Sequence, residues 1–136
     1  IPQLSFKNEF VKQINEARVV ARDCGSEGRF EAAAPIEWHD KLQAAAERHT
    51  RDMVENDFAD HTGSDGSEFW ERIEDAGYSY SAAGENISYG RTSIEDAIAG
   101  WLASDGHCRN IMNPDMDHIG AAEQDNKWTL VLAGER

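Results

Sequence analysis

The hydrophobic pattern of this chain changes period once, and that change limits the folds open to it. In the first two-thirds, apolar residues recur every three to four positions, the spacing of a helix with one buried stripe. Phe6, Phe10, Val11, Ile14 and Ala17 predict a first helix ending near Arg22, and Leu42, Ala45, Ala46, His49 and Met53 predict a second, capped by His39 or Asp40. Phe69, Trp70 and Ile73 mark a short third helix that stops at Gly77. Ser93 and Asp96 resemble a capping box ahead of Ala97, Ile98, Trp101 and Leu102, so a fourth helix runs from Ser93 to the "SDGH" segment. After Pro114, "HIGAAEQDNKWTLVLA" offers two short apolar runs around Asp125 and Asn126, a hairpin signal, and "ENISYG" is a candidate third strand. Helices first and strands last predict an α+β domain with helices packed on a small antiparallel sheet.

No repeat or linker divides the 136 residues, so one domain, 1–136, is expected. With 13 basic against 26 acidic side chains and no basic stripe, the surface field repels phosphate backbones, which argues against a nucleic-acid partner. No apolar run approaches the roughly 20 residues of a transmembrane helix. The first ten residues, "IPQLSFKNEF", do not read as a signal peptide. Cys24 and Cys108 lie too far apart for a zinc knuckle or a redox motif, leaving one long-range disulfide or two free thiols.

The acidic stretch "DHTGSDGSEFWER" invites a calcium-loop reading, which its spacing defeats. Counting back from Gly66, the ligand positions hold His61, Gly63 and Asp65, one carboxylate where three are needed. Among the histidines, His39 reads as solvated, His49 as a packed and hydrogen-bonded residue on an apolar stripe, and His118 as uninformative. His61 and His107 stand beside glycines at helix exits, where their rings can reach a cleft, although no HExxH or other local spacing links them. There is no G-x-S-x-G elbow for a serine nucleophile. Asn86-Ile87-Ser88 is a glycosylation sequon only if its loop is exposed.

Taken in order, "HTGSDGS", "AGYSYSAAGENISYG", "GWLASDGHCRNIM" and "IGAA" resemble the SCP or CAP superfamily of cysteine-rich secretory, antigen-five and pathogenesis-related proteins, most closely its bacterial secreted branch. The resemblance runs from "INEAR" to "WTLVLAG". It implies an α-β-α sandwich with a small antiparallel sheet between helical layers and an open cleft, which in many members holds two His and two Glu. Carried over by motif, these are His61, Glu85 and His107, while the position of the second Glu, three residues after Trp101, is Ser104. The resemblance also implies a Cys24–Cys108 disulfide and a secreted or periplasmic protein whose signal peptide has been removed.

Two functions follow from that resemblance. One is a binding module whose cleft takes a small apolar ligand, a peptide or a surface polymer. A divalent ion, Zn²⁺ above all, is then held weakly by His61 and His107, with Glu85 as a ligand or as the partner that orients an imidazole. The alternative is a metal-dependent hydrolase built on His61, Glu85 and His107. Ser104 in place of a carboxylate removes a general base from the second reading and favours binding.

Overall fold

The structure, a computed structural model, describes residues 3–136. Its elements in chain order are helix α1 (Gln3–Arg18), strands β1 (Arg22–Asp23), β2 (Arg29–Phe30) and β3 (Glu37–Trp38), helices α2 (Asp40–Glu55) and α3 (Phe69–Asp75), strand β4 (Tyr80–Tyr89), helices α4 (Ile94–Leu102) and α5 (Asp105–Met112), and strands β5 (His118–Gln124) and β6 (Lys127–Glu135). A four-stranded sheet, in the order β3-β5-β6-β4, forms the middle layer. All its pairings are antiparallel except that of the short edge strand β3, which runs parallel to β5.

Side-chain alternation along β6 assigns the two faces. Trp128, Leu130 and Leu132 join Phe10 and Ile14 of α1, Ile98 and Trp101 of α4 and Ile111 of α5 in one core. Val131 and Ala133 face Leu42, Ala45 and Ala46 of α2 and Ile73 of α3 in a second core. Helices thus cover both faces, and the α-β-α sandwich is the fold observed. The β5–β6 turn is the tight one expected: Asp125 and Asn126 have φ of 50° and 62°, the paired left-handed residues of a type I′ hairpin. Gly120 is required where α2 crosses β5, because a Cβ there would meet the backbone of Leu42 and Gln43.

Three expectations change. The first helix stops at Arg18, not near Arg22, because Arg22–Asp23 pairs with Arg29–Phe30 as a short ladder that draws the chain away. Arg18 is 1% exposed and its guanidinium donates to the carbonyls of Ala34, Ile111, Asn113 and Met116, tying α1 to the end of α5. Helix α4 ends at Leu102, just ahead of "SDGH" as expected, but the chain is not then free of helix: Ser104 is the N-cap of a further one, α5, whose Cys108, Ile111 and Met112 are buried. His39 is partly buried rather than solvated. Its Nδ1 accepts the Lys41 N–H at the start of α2, and its ring meets those of Tyr78 and His118 edge-on.

Candidate functional site

Edge strand β4 carries Glu85, whose carboxylate has no exposed surface, in register with Val131 of β6. A buried carboxylate must be matched by donors. His61 Nδ1 lies 2.9 Å from Oε1, and Arg72 Nη2 donates to Oε2 at 2.9 Å. Arg72 comes from α3 on the apolar stripe beside Ile73, and its other donors hold the turn that delivers His61. Nη2 reaches the His61 carbonyl at 2.8 Å, and Nη1 reaches the Ser67 carbonyl at 2.8 Å. From α2, His49 donates through Nε2 to the Asp60 carbonyl at 2.7 Å and stands 4.0 Å from Glu85 Oε1. Its expected role as a packed, hydrogen-bonded residue is the one observed.

The loop between α2 and α3 owes its shape to its acidic residues. Asp52 Oδ2 accepts the Ser64 N–H, and Asp65 Oδ1 accepts the Ser67 N–H while its other oxygen meets Arg48. The Glu71 carboxylate accepts the Glu68 N–H at the start of α3. These carboxylates are structural fasteners of an exposed turn, and His61 is the residue the turn presents.

His107 comes from the other helical layer. It occupies the first turn of α5, and its carbonyl accepts from Asn86 Nδ2 at 3.2 Å. Asn86 is fully buried and Asn110 donates to its Oδ1, so the sequon asparagine is a packing residue and not an exposed acceptor. His61 and His107 therefore approach across β4 from opposite layers. His107 is lowered from its ordinary pKa by burial and then by the nearby His61 charge. His61 is raised, first by its hydrogen bond to Glu85. His49 is lowered by burial.

A groove of about 590 Å³ lies along the end of β4, lined among others by Ile87, Tyr89, Arg91, Trp101, Ser104 and His107. Ser104 and His107, one helical turn apart, both face it, and the Ser104 hydroxyl makes no capping bond. Ala59, from the loop that carries His61, is part of the lining, whereas His61 and Glu85 are not. Tyr89 is 71% exposed at the rim.

Zinc can be tested against this donor set. Catalytic zinc takes three protein ligands and an open position. Among the described residues, no three His, Cys, Asp or Glu side chains converge as a metal-binding group. Both oxygens of Glu85 are engaged, by His61 and Arg72, and Ser104 offers only a hydroxyl. The described residues do not fit a three-ligand centre. Arg72 and His49 were not singled out as site residues from the sequence. The signal for Arg72 was a charge at i+3 from Phe69, on the buried side of α3.

The disulfide is present: Cys24 and Cys108 are bonded, with Cα atoms 5.5 Å apart. It links the segment after β1 to the helix that carries His107. Ser26 reinforces that junction by donating twice to Asp105 Oδ2.

Comparison with known proteins fits this geometry. The uncharacterized protein YkwD of Bacillus subtilis is 30% identical over 112 residues, 81% of this chain and 44% of its own length. The chain spans less than half of the curated relatives it matches, which include a B. subtilis membrane protein covered over 28% of its length. An extracellular protein containing an SCP domain from Bacillus anthracis superposes with a TM-score of 0.77 at 21% identity, over 99% of this chain and 44% of that one. An outer surface protein from Borrelia burgdorferi superposes with a TM-score of 0.80 at 20% identity, over 100% of this chain and 97% of that one. With the cysteine-rich secretory protein (CAP) family model matching residues 11–131, the sandwich and its motifs place this chain in that family.

Proposed function

We propose that this chain is a secreted binding module that takes a ligand in the groove beside β4. The lining supports an amphipathic ligand: the part-buried Ile87 and the exposed Tyr89 offer apolar and aromatic surface, while Arg91, Ser104 and His107 offer polar groups. A small apolar molecule with a polar end, a peptide or a surface polymer meets both kinds of surface. The observation that carries binding over hydrolysis is the state of Glu85. Its two oxygens are occupied at 2.9 Å each and shielded from solvent, so it is not free to take a proton from water.

In this reading Glu85 orients His61 by accepting from Nδ1, which leaves Nε2 to face outward. His61 and His107 then offer two nitrogens to a divalent ion, an incomplete shell of modest affinity. Secretion is supported by the disulfide and by the extracellular SCP protein among the structural relatives.

The test combines mass spectrometry of organic extracts of the purified protein with a hydrolase panel run with and without Zn²⁺. A small molecule retained by the wild type and lost from Tyr89→Ser, without turnover in the panel, is the expected result. Zinc-dependent turnover abolished by His107→Ala would establish the hydrolase reading instead.

A further inference from the structure

Strand β4 is an edge of the sheet, with β6 on one side only. Gly90 N donates to Asn126 O, so Ser88 and Asn86, opposite Trp128 and Leu130, turn their backbone groups inward to β6. The backbone groups of Glu85, Ile87 and Tyr89 then point outward. Two of these three carbonyls are closed by side chains: Trp101 Nε1 donates to Ile87 O at 3.0 Å, and Asn110 Nδ2 reaches Glu85 O at 3.5 Å. Among the described residues, the N–H and C=O of Tyr89 and the N–H of Ile87 have no hydrogen-bond partner on that side.

This end of the strand is accessible. Tyr89 is 71% exposed, Gly90 is exposed and Ile87 and Ser88 are half-buried, and the consecutive residues from Ile87 to Arg91 all line the groove beside His107. Alternation sorts the two walls. Ile87 and Tyr89 share the face of Glu85, the side of α3 and of the loop that brings Ala59. Ser88 shares the face of Asn86, whose amide reaches the His107 carbonyl, so Ser104 and His107 stand on that second side. The charges of the lining meet each other, with Arg91 Nη1 3.2 Å from Asp96 Oδ1. An exposed strand end with a free donor and acceptor is a template for another strand. A charge pair closed within the groove, on a chain of net charge -13, favours an uncharged partner over an acidic one.

On the binding reading above, we infer that the ligand is an extended, uncharged peptide segment that pairs with Tyr89 as an antiparallel strand. One peptide residue exchanges both backbone bonds with Tyr89, and Trp101, by holding Ile87 O, ends the ladder after about three residues. The paired residue sets an apolar side chain beside Ile87, Tyr89 and Ala59. Its two neighbours present hydrogen-bonding side chains to Ser104 and His107.

The probe is a capped hexapeptide of alternating Val and Ser, titrated into the intact protein and followed by amide NMR and hydrogen exchange. The expected result is slowed exchange at the Tyr89 amide and no change at Ser88, which β6 already holds. N-methylation of the Val amides should weaken binding about tenfold, whereas N-methylation of the Ser amides, which point away from β4, should weaken it no more than about twofold. Tyr89→Pro and Tyr89→Ser lose the same ring, but only the first loses the outward N–H, a change that edge strands tolerate. The Pro variant should bind about fivefold more weakly than the Ser variant, with the two melting temperatures within a few degrees of each other. Equal binding of the two methylated peptides, or no binding at millimolar peptide, would overturn the strand pairing. A small molecule still retained in the organic extract would then leave the groove as a binding site for another class of ligand, and an empty extract would remove both readings.

Discussion

Arg72 Nη2 and Glu85 Oε2 form an ion pair 2.9 Å long between side chains that are 2% and 0% exposed, and the same Arg72 nitrogen holds the His61 carbonyl. One guanidinium therefore sets both the carboxylate and the backbone of the imidazole that the carboxylate orients. Such a pair stabilises little against an apolar replacement, because desolvation offsets the attraction, but removal of one member strands the other. Arg72→Met should cost about 3–5 kcal/mol by urea denaturation. The double variant Arg72→Met/Glu85→Gln should recover a large part of that loss. If the single and double variants are equally unstable, the lost packing of Arg72 explains the effect and the ion pair does not.

The histidines around Glu85 respond to pH in opposite senses. Burial lowers His49 in the folded protein, so below about pH 6.5 the unfolded chain binds more protons and stability falls with pH towards the lowered folded value. His61 is raised by Glu85, so its contribution is fully present below about pH 6.5 and is lost as pH rises through the raised value. His49→Gln should flatten the acid side of a plot of urea midpoint against pH. His61→Gln should flatten the fall on the neutral side. A His49→Gln protein with the wild-type acid limb would shift that role to His39 and His107, which burial also lowers.

Much of this arrangement is legible in the sequence, because each legible part rests on local chemistry. The α2 stripe, the Ser93 cap, where the hydroxyl accepts the Asp96 N–H, and the Asp125-Asn126 turn all depend on neighbours within a few positions. Helix α5 was missed because Ser104, Asp105 and Gly106 serve equally as a helix stop and as a helix start. Only the stripe of Cys108, Ile111 and Met112 favoured the second. The parallel edge strand β3 has two residues and no periodicity to detect. In the candidate site, motif order pointed to His61, Glu85 and His107, but not to what surrounds them. That Glu85 is sealed by Arg72 is a long-range fact about α3 and β4, which no local pattern in the sequence carries.

The disulfide closes a loop between positions 84 residues apart, for which chain entropy gives about 4 to 5 kcal/mol. Cys24→Ser/Cys108→Ser should lose stability of that order, read from the urea midpoint. The oxidised protein should show no reactive thiol after denaturation. Cys108 directly follows His107 on α5, so the double variant should also broaden the NMR signals of the His107 ring. A sharp, unshifted His107 signal would show that α5 holds its position without the bond.

Trp101 joins the core to the groove. It is 2% exposed, its ring centroid lies 6.3 Å from that of Phe10, and its Nε1 donates to Ile87 O on the edge strand at 3.0 Å. The indole thus fills space under the sheet and closes one outer carbonyl of β4, while its surface lines the groove beside His107. The two roles separate by substitution. Trp101→Ala removes the packing as well as the hydrogen bond and should cost about 3–5 kcal/mol. Trp101→Phe keeps most of the packing but leaves Ile87 O without its donor, a loss of about 1–3 kcal/mol if the carbonyl stays buried. Urea denaturation measures both. A Phe variant as unstable as the Ala variant would mean that the Nε1 bond, and not the ring, holds α4 against β4, whereas an unchanged midpoint for Ala would place Trp101 outside the core.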